Sequence, residues 1–183
     1  MKRVSVGLAL LFGSCGGPDA DTGSAAPYER YLGVRELGER RDADAVREIV
    51  KLLDDPHFLV VTGALEALCD VGRKEFLQHV LPRAKHAHPM VRSYACRAVG
   101  RLGNEEGIAA LADALKDPEA AVRRSAVRAL ASFGKRPEVT RALVEAVGEK
   151  EPSVALLAHE SLQDLTGLRD VARTREAWSK ALP

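Results

Sequence analysis

Five histidines are the residues best suited to metal chemistry in this chain of 183 amino acids. His86 and His88 flank Ala87, and His79 lies two helical turns upstream of His86. A structural zinc site needs four ligands, and no further ligand follows these histidines at a defined spacing. We therefore expect turn and surface histidines rather than a metal centre, and we expect no cofactor.

Motifs for covalent or phosphate chemistry do not stand out from the sequence. No glycine-rich phosphate loop is present, and no serine, histidine and aspartate occur at a spacing that suggests a catalytic triad. Sequence alone cannot place such residues together, because a triad is defined by geometry. The sequence thus predicts no catalytic residue.

Arginines concentrated in the middle of the chain form the other chemical feature. Guanidinium groups suit carboxylate and phosphate, to which they donate paired hydrogen bonds. These arginines define a candidate binding patch. Its members are Arg92, Arg97, Arg101, Arg123, Arg124 and Arg128.

A recurring spacing of apolar residues defines the elements that must position these arginines. With Val122 as offset zero, small or apolar residues follow at offsets +4, +7 and +8, and a glycine follows at +12. The same pattern starts at Val60, at Val91 and, with its glycine one place late, at Val154. The first three starts are 31 residues apart and the last follows after 32. A fixed period of this size indicates tandem structural repeats.

Each repeat is predicted to contain two helices. Offsets 0, +4, +7 and +8 lie on one face of an α-helix, and we name the helices that carry them the A helices. A second apolar set, the B helix, precedes each A helix; one of these sets is Leu77, Val80, Leu81 and Ala84. Stacked units would bury one another's apolar faces, which neither helix could bury alone.

Turn residues separate the predicted helices. Pro56 and Pro118 each follow an aspartate and suit the start of an A helix, and Pro89 and Pro152 serve the same turn. Glycines are expected to end the A helices in the left-handed conformation. These glycines are Gly72, Gly103, Gly134 and Gly167.

The segments "HPMVRSYACRAVGRLG" and "DPEAAVRRSAVRALASFG" resemble HEAT repeats, specifically the short type also found in phycobilisome-lyase-like proteins. The resemblance implies an all-α fold, an α-solenoid of about four to five helix pairs over residues 28–183. Residues 28–41 resemble a degenerate first A helix with Leu32 and Leu37 on its apolar side. Trp178 follows Val171 by seven residues and is therefore expected on the same helical face, as a hydrophobic lid on the final repeat.

The resemblance also brings one enzyme into consideration. Deoxyhypusine hydroxylase is a HEAT protein that binds two irons through several His-Glu pairs placed early in repeated A helices. This chain has a single such pair, His159 and Glu160, and it falls late in the last A helix. One pair cannot assemble a di-iron centre, so we expect a protein that is not an enzyme.

The first fifteen residues, "MKRVSVGLALLFGSC", read as an export signal. A basic start, a short apolar run and small residues are typical of a signal peptide and too short for a membrane span. Cys15 after small residues resembles the bacterial lipoprotein box, although Phe12 departs from the usual leucine. The resemblance implies a signal peptide over 1–14 and lipid on Cys15. The alternative is an ordinary signal peptide in which the cysteine is accidental.

The residues after Cys15 extend this interpretation. "GGPDADTGSAAP" is polar and rich in glycine, proline and aspartate, so residues 15–27 are predicted to be a flexible tether. Gly16, rather than an aspartate, follows the cysteine. By the sorting rule of Gram-negative lipoproteins, this implies the outer membrane, facing the periplasm, if the host is Gram-negative.

Composition narrows the class of partner. The formal net charge of +1 becomes about −1 once Lys2 and Arg3 are removed, whereas nucleic-acid binding favours a strongly basic domain. Aromatic residues make up only 4% of the chain, which argues against base stacking. We therefore expect a protein partner, and no nucleic acid, with membrane contact through the lipid on Cys15.

Cys69 and Cys96 would lie about one helical turn out of register on neighbouring A helices. With helices about 10 Å apart, the Cα atoms would be roughly 11 Å apart, beyond the limit of about 7 Å for a disulfide. We expect two free, largely buried thiols.

The arginines are compatible with two roles, one structural and one in binding. Arg92 and Arg123 at offset +1 are expected to bond acids and carbonyls of adjoining turns, such as Asp117. Arg97 and Arg128 at +6 are more exposed, and form either a solvated surface or a patch for an acidic protein segment or an anionic envelope component.

The chain is accordingly expected to be a binding or scaffold module, a subunit of a larger envelope assembly or, least favoured, an enzyme or enzyme regulator.

Overall fold

The computed structural model describes residues 25–182, and all regular structure in this range is helical. Cys15, the predicted signal over 1–14 and most of the predicted tether lie outside the described residues. The α-helices in this range are α1 (Ala25–Arg40), α2 (Ala43–Lys51), α3 (Phe58–Val71), α4 (Leu77–Val80), α5 (Pro89–Leu102), α6 (Glu105–Ala114), α7 (Ala120–Ala131), α8 (Pro137–Val147), α9 (Pro152–Thr166) and α10 (Arg175–Ala181).

The helices form two layers that run the length of the described chain. Helices α1, α3, α5, α7 and α9 are the A helices, and each packs against the next in this order. The second layer contains α2, the segment 74–85 around α4, α6, α8 and α10, and neighbouring members of this layer contact one another from that segment onward. The prediction of an α-solenoid of four to five helix pairs is confirmed, with five pairs in residues 25–182.

The apolar anchors of the repeat line the core between the layers. Val60, Val91, Val122 and Val154 all have 0% of their surface exposed. Small residues beside them let successive A helices approach closely: a Cβ atom added to Gly100 on α5 would lie 2.9 Å from the Ala129 Cα atom on α7. The residue types at the repeat offsets therefore set the spacing of the A layer.

The acid-proline turns differ in detail from the prediction. Pro89 and Pro152 are the first residues of α5 and α9, as expected for a residue that lacks an N–H donor. The prediction that Pro118 starts a helix is wrong, because Glu119 is the N-cap of α7. Instead, the Asp117 side chain accepts a hydrogen bond of 2.9 Å from the Glu119 backbone N–H and closes the turn around the proline.

The turn before α3 repeats this arrangement. Asp55 accepts a hydrogen bond of 2.8 Å from the backbone N–H of His57, and His57 is the N-cap of α3. Pro56 therefore also precedes the helix rather than starting it, and that prediction is wrong in the same way.

Three of the four predicted C-terminal glycines are left-handed. Gly72, Gly134 and Gly167 have φ angles of 72°, 77° and 78°. The prediction is wrong for Gly103, which has φ −68° and ψ 159°. A Cβ atom there would lie 2.5 Å from the Phe133 ring, so glycine is required at this position by close contact rather than by backbone conformation.

The B helix predicted from Leu77 to Ala84 is broken. It consists of the four-residue α4 between two 3-10 segments, Lys74–Phe76 and Leu81–Lys85. Pro82 explains the change, because it donates no backbone hydrogen bond and its ring clashes with the carbonyl four residues earlier in a regular helix. Leu77 and Val80 remain buried, so the apolar side of the segment is kept although its helix is not.

The core is covered differently at the two ends of the helix stack. On α1, Leu37 is buried as predicted, but Leu32 is 37% exposed and Val34 takes the buried position instead. Trp178 is fully buried on α10 and donates a hydrogen bond of 2.9 Å to His159 Nδ1 on α9, which confirms the lid. The inference that Val171 shares its helical face is wrong, because α10 begins only at Arg175.

Cys69 and Cys96 are free and buried, as predicted. Burial raises the pKa of the Cys69 thiol to about 11 and that of Cys96 to about 12. Both side chains therefore act as small apolar residues of the core.

Candidate binding surface on the A helices

Arg92 is the most firmly held of the six predicted arginines. Its guanidinium donates two hydrogen bonds to the Asp117 carboxylate, 2.7 Å and 2.9 Å long, and two more of 2.9 Å to the backbone carbonyls of His86 and Ala87. Its side chain is only 13% exposed. Arg92 thus ties α5 to the turn before α7, and it is not available to a partner.

The pKa values of this pair reflect the same contacts. The hydrogen bonds that Arg92 donates to the Asp117 carboxylate raise the pKa of Arg92. Burial alone would raise the pKa of Asp117. The hydrogen bonds from Arg92 and from the Glu119 backbone outweigh that effect, so the pKa of Asp117 lies below its ordinary value.

Arg123 is held in the equivalent way one repeat later. It donates hydrogen bonds of 2.8 Å and 2.9 Å to the carbonyls of Asp117 and Pro118, and it forms an ion pair with Glu149. The expectation that the offset +1 arginines bond adjoining turns is confirmed for both residues.

A third arginine of this type was not recognised from the sequence. Arg30 on α1 donates two hydrogen bonds, 2.8 Å and 2.9 Å long, to Asp55, which follows it by 25 residues just as Asp117 follows Arg92. The position 31 residues before Val60 is Glu29, so the apolar pattern fails there. The arginine-to-aspartate spacing is the signal that would have revealed it.

Arg97 and Arg101 lie one helical turn apart on α5 and face α3. Their NH1 atoms lie 3.7 Å and 3.4 Å from carboxylate oxygens of Glu66 and Asp70, which are also one turn apart. The Arg97 guanidinium lies 4.8 Å from the centroid of the Tyr94 ring. Both arginines and Asp70 are more than half exposed and Glu66 is 43% exposed, so these ion pairs contribute little to stability.

Arg124 and Arg128 complete the predicted patch and lie one turn apart on α7. Both are exposed, and neither forms an ion pair or hydrogen bond with the residues that the structure describes. The structure therefore divides the six arginines into two structural residues, two that face α3 and two open cations.

A groove of about 350 Å³ lies over α3, between α1 and α5. Gly38, Gly63 and Ala67 form its floor, where larger side chains would fill the space. Gly63 is required because a Cβ atom there would lie 2.8 Å from the Tyr31 ring. On its two sides the groove is lined by Tyr31, Arg35 and Glu39 from α1 and by Tyr94, Arg97 and Arg101 from α5.

Charges of both signs surround this groove. Because the A helices stack in register, offset +6 gives the row Arg35, Glu66 and Arg97 across α1, α3 and α5. Offset +10 gives the row Glu39, Asp70 and Arg101. Two tyrosines and six charged groups beside a glycine floor can contact a polypeptide through its backbone, its apolar side chains and its charges. The groove as a whole was not predicted from the sequence.

The histidines do not form a metal centre in the described part of the chain. No group of three or more His, Cys, Asp or Glu side chains there is placed to hold a metal ion. His159 accepts the hydrogen bond from Trp178 and so has a structural role beside Glu160.

Within residues 25–182, no helix has the length and apolar character needed to cross a bilayer.

Comparison with known proteins agrees with the architecture. Residues 77–163 match the family model described as HEAT repeats. This part of the chain is therefore similar to HEAT repeats. The structure of the CpcE and CpcF complex of phycocyanin lyase from Nostoc sp. PCC7120 is similar, with a TM-score of 0.54 at 17% identity, covering 96% of this chain and 80% of that chain.

A second similar structure is a designed armadillo repeat protein in complex with the peptide (KR)4. It has a TM-score of 0.54 at 21% identity and covers 78% of this chain and 77% of that chain. Deoxyhypusine hydroxylase-B from Oryza sativa subsp. japonica is 35% identical over 106 residues, which is 56% of this chain. The match spans about a third of the hydroxylase, 35% of its length.

Proposed function

We propose that this protein is a non-enzymatic HEAT-type scaffold that binds a segment of another protein in the groove over α3. The observation that carries the proposal is the groove itself, which combines two partly exposed tyrosines, a glycine floor and charges of both signs. Tyrosine and arginine are the side chains that most often dominate protein interfaces, and both types line this groove.

The two similar repeat structures support a protein partner. The designed armadillo protein holds a peptide, and the lyase structure is a complex of two chains. The lyase complex also favours a second candidate, in which this chain is a structural subunit of a larger assembly. The two candidates differ in what covers the A helices: a short segment in the groove, or a broad interface that extends beyond it.

We further propose that the chain is exported and lipid-anchored through Cys15, after removal of residues 1–14, with the residues between Cys15 and the start of α1 as a tether. In a Gram-negative host, the expected location is the outer membrane, facing the periplasm. Incorporation of a palmitate analogue tests this: the wild-type chain should be labelled and the Cys15→Ser variant should not. Equal labelling of both would contradict the anchor.

The groove is tested with a partner that co-purifies with the full-length protein. We expect Tyr94→Ala combined with Arg97→Glu to weaken binding by at least about tenfold, because the variant removes an aromatic contact and reverses a charge. Arg141→Glu on α8 is the matched control, since it reverses an exposed arginine in the other layer. The proposal is contradicted if the groove variant binds like wild type, or if the control is equally impaired.

A further inference from the structure

The packing of α5 against α3 shows what two arginines one turn apart contact in this fold. Glu66 and Asp70 are four residues apart on α3, and Arg97 and Arg101 are four residues apart on α5. The two pairs meet in register, with N–O distances of 3.7 Å and 3.4 Å. A helix with two acids at i and i+4 is therefore complementary to a helix with two arginines at the same spacing.

Helix α7 presents two arginines at the same four-residue spacing, one turn earlier in the repeat, and no acid in residues 25–182 pairs with them. Arg124 and Arg128 are four residues apart and exposed, and they form no ion pair within residues 25–182. Glu160 on α9 has the same offset as Arg128, but the two side chains do not pair in the structure. Arg123 beside them is already held by Glu149, so the open cations of this helix are Arg124 and Arg128.

An apolar residue adjoins the basic pair. Leu156 on α9 has the same offset as Arg124 on α7, and it is 41% exposed. Because α7 and α9 pack side by side, the surface combines two cations with an apolar contact. That combination favours an amphipathic helix with acids and an apolar residue on one face over a small anion, which would use the charges alone.

We propose that Arg124 and Arg128, together with Leu156, bind a helix of a partner protein that carries two acidic side chains four residues apart. The inference rests on the proposed function, because it assumes that the A helices bind protein, and it specifies the chemistry of the partner at α7. The acids of that helix pair with Arg124 and Arg128 at the same four-residue spacing at which Glu66 and Asp70 pair with Arg97 and Arg101.

The test is a titration of full-length, 15N-labelled protein followed by NMR. The probe is an alanine-based, end-capped helical peptide with two glutamates four residues apart and a neighbouring leucine. We expect shifts centred on α7 and the exposed side of α9. Replacing both glutamates with glutamine should weaken binding by about fivefold or more, the range given by two exposed charge pairs.

A variant with reversed charges on α7, tested with a peptide of reversed charge, is the matched control. The Arg124→Glu, Arg128→Glu double variant should bind the glutamate peptide at least about fivefold more weakly and should bind a peptide with two lysines instead. Arg141→Glu should change neither affinity. Equal affinity for the glutamate and glutamine peptides would overturn the inference, as would failure of the lysine peptide to bind the double variant.

Two further arms separate this inference from its alternatives. Binding to phosphatidylglycerol vesicles that depends on both arginines, without binding to the glutamate peptide, would overturn it in favour of a membrane surface. The Tyr94→Ala, Arg97→Glu groove variant should bind the glutamate peptide like wild type. If the groove variant loses the natural partner while the peptide experiment fails, only the inference about α7 is overturned and the proposed function stands.

Discussion

Arg92 shows that an arginine of the candidate binding patch can have a structural role, as its position at offset +1 predicts. Its side chain is 13% exposed and that of Asp117 is 8% exposed, so little water is available to replace their hydrogen bonds. Removal of one partner would leave the other charge largely buried and unpaired. The pair therefore contributes to stability through the cost of breaking it, not through net attraction alone.

Asp117→Asn should destabilise the protein by about 3 kcal/mol, because it leaves the Arg92 guanidinium without its counter-charge in a mostly buried site. Asp70→Asn is the control: its pair with Arg101 is more than 60% exposed on both sides, and its loss should cost at most about 0.5 kcal/mol. Urea unfolding of both variants measures the difference. Equal destabilisation would show that the burial of the Arg92 pair has no energetic consequence.

The depressed pKa of Asp117 also predicts how stability depends on pH. Because the folded-state pKa lies below the value in the unfolded chain, this carboxylate stabilises the fold fully above the unfolded pKa of about 4. Its contribution is lost as pH falls through the folded-state pKa. Unfolding free energies measured between about pH 5 and pH 2 should therefore fall less steeply for Asp117→Asn than for the wild type. Parallel curves would contradict this assignment.

At the scale of helices, the buried pattern was predictable and the irregular elements were not. Val60, Val91, Val122 and Val154 could be identified because burial follows the helical period, which the sequence shows directly. The break at Pro82 was missed because the apolar spacing from Leu77 to Ala84 fits a helix, although its proline does not. At Pro82 the missing N–H donor and the steric clash of the ring prevent a regular helix, although the apolar spacing fits one.

Gly103 and Gly134 occupy the same offset but should respond differently to alanine. Gly134 has a positive φ and open space around it, so Gly134→Ala should cost about 1 kcal/mol of backbone strain. Gly103→Ala should cost about 2–3 kcal/mol, because its Cβ atom would overlap the Phe133 ring and the Val99 carbonyl. Thermal or urea unfolding measures both, and a larger cost at Gly134 would contradict the distinction.

At the scale of the whole molecule, stacking converts sequence offsets into rows of side chains. The rows at +6 and +10 bring Arg35 and Glu39 of α1 beside acids and arginines that are 31 and 62 residues away in the chain. The sequence predicted a candidate binding patch of central arginines. It did not predict the groove, because Tyr31 and Gly63 create its shape only through the close approach of α1 and α3.

The C-terminal lid illustrates the same limit. Burial of Trp178 was predictable from its apolar character, but its hydrogen bond to His159 joins residues separated by an irregular segment whose path the sequence does not show. When an irregular segment separates two residues, the repeat spacing does not show whether they come into contact. The contact between Trp178 and His159 is of this kind.

Hydroxyl-radical footprinting of the complex with a co-purified partner tests the central claim, that the A helices form the protein-binding surface. We predict that oxidation of Tyr31 and Tyr94 beside the groove falls on binding, while oxidation of His79 in the other layer is unchanged. Undiminished oxidation of both tyrosines, together with protection of His79, would contradict the account.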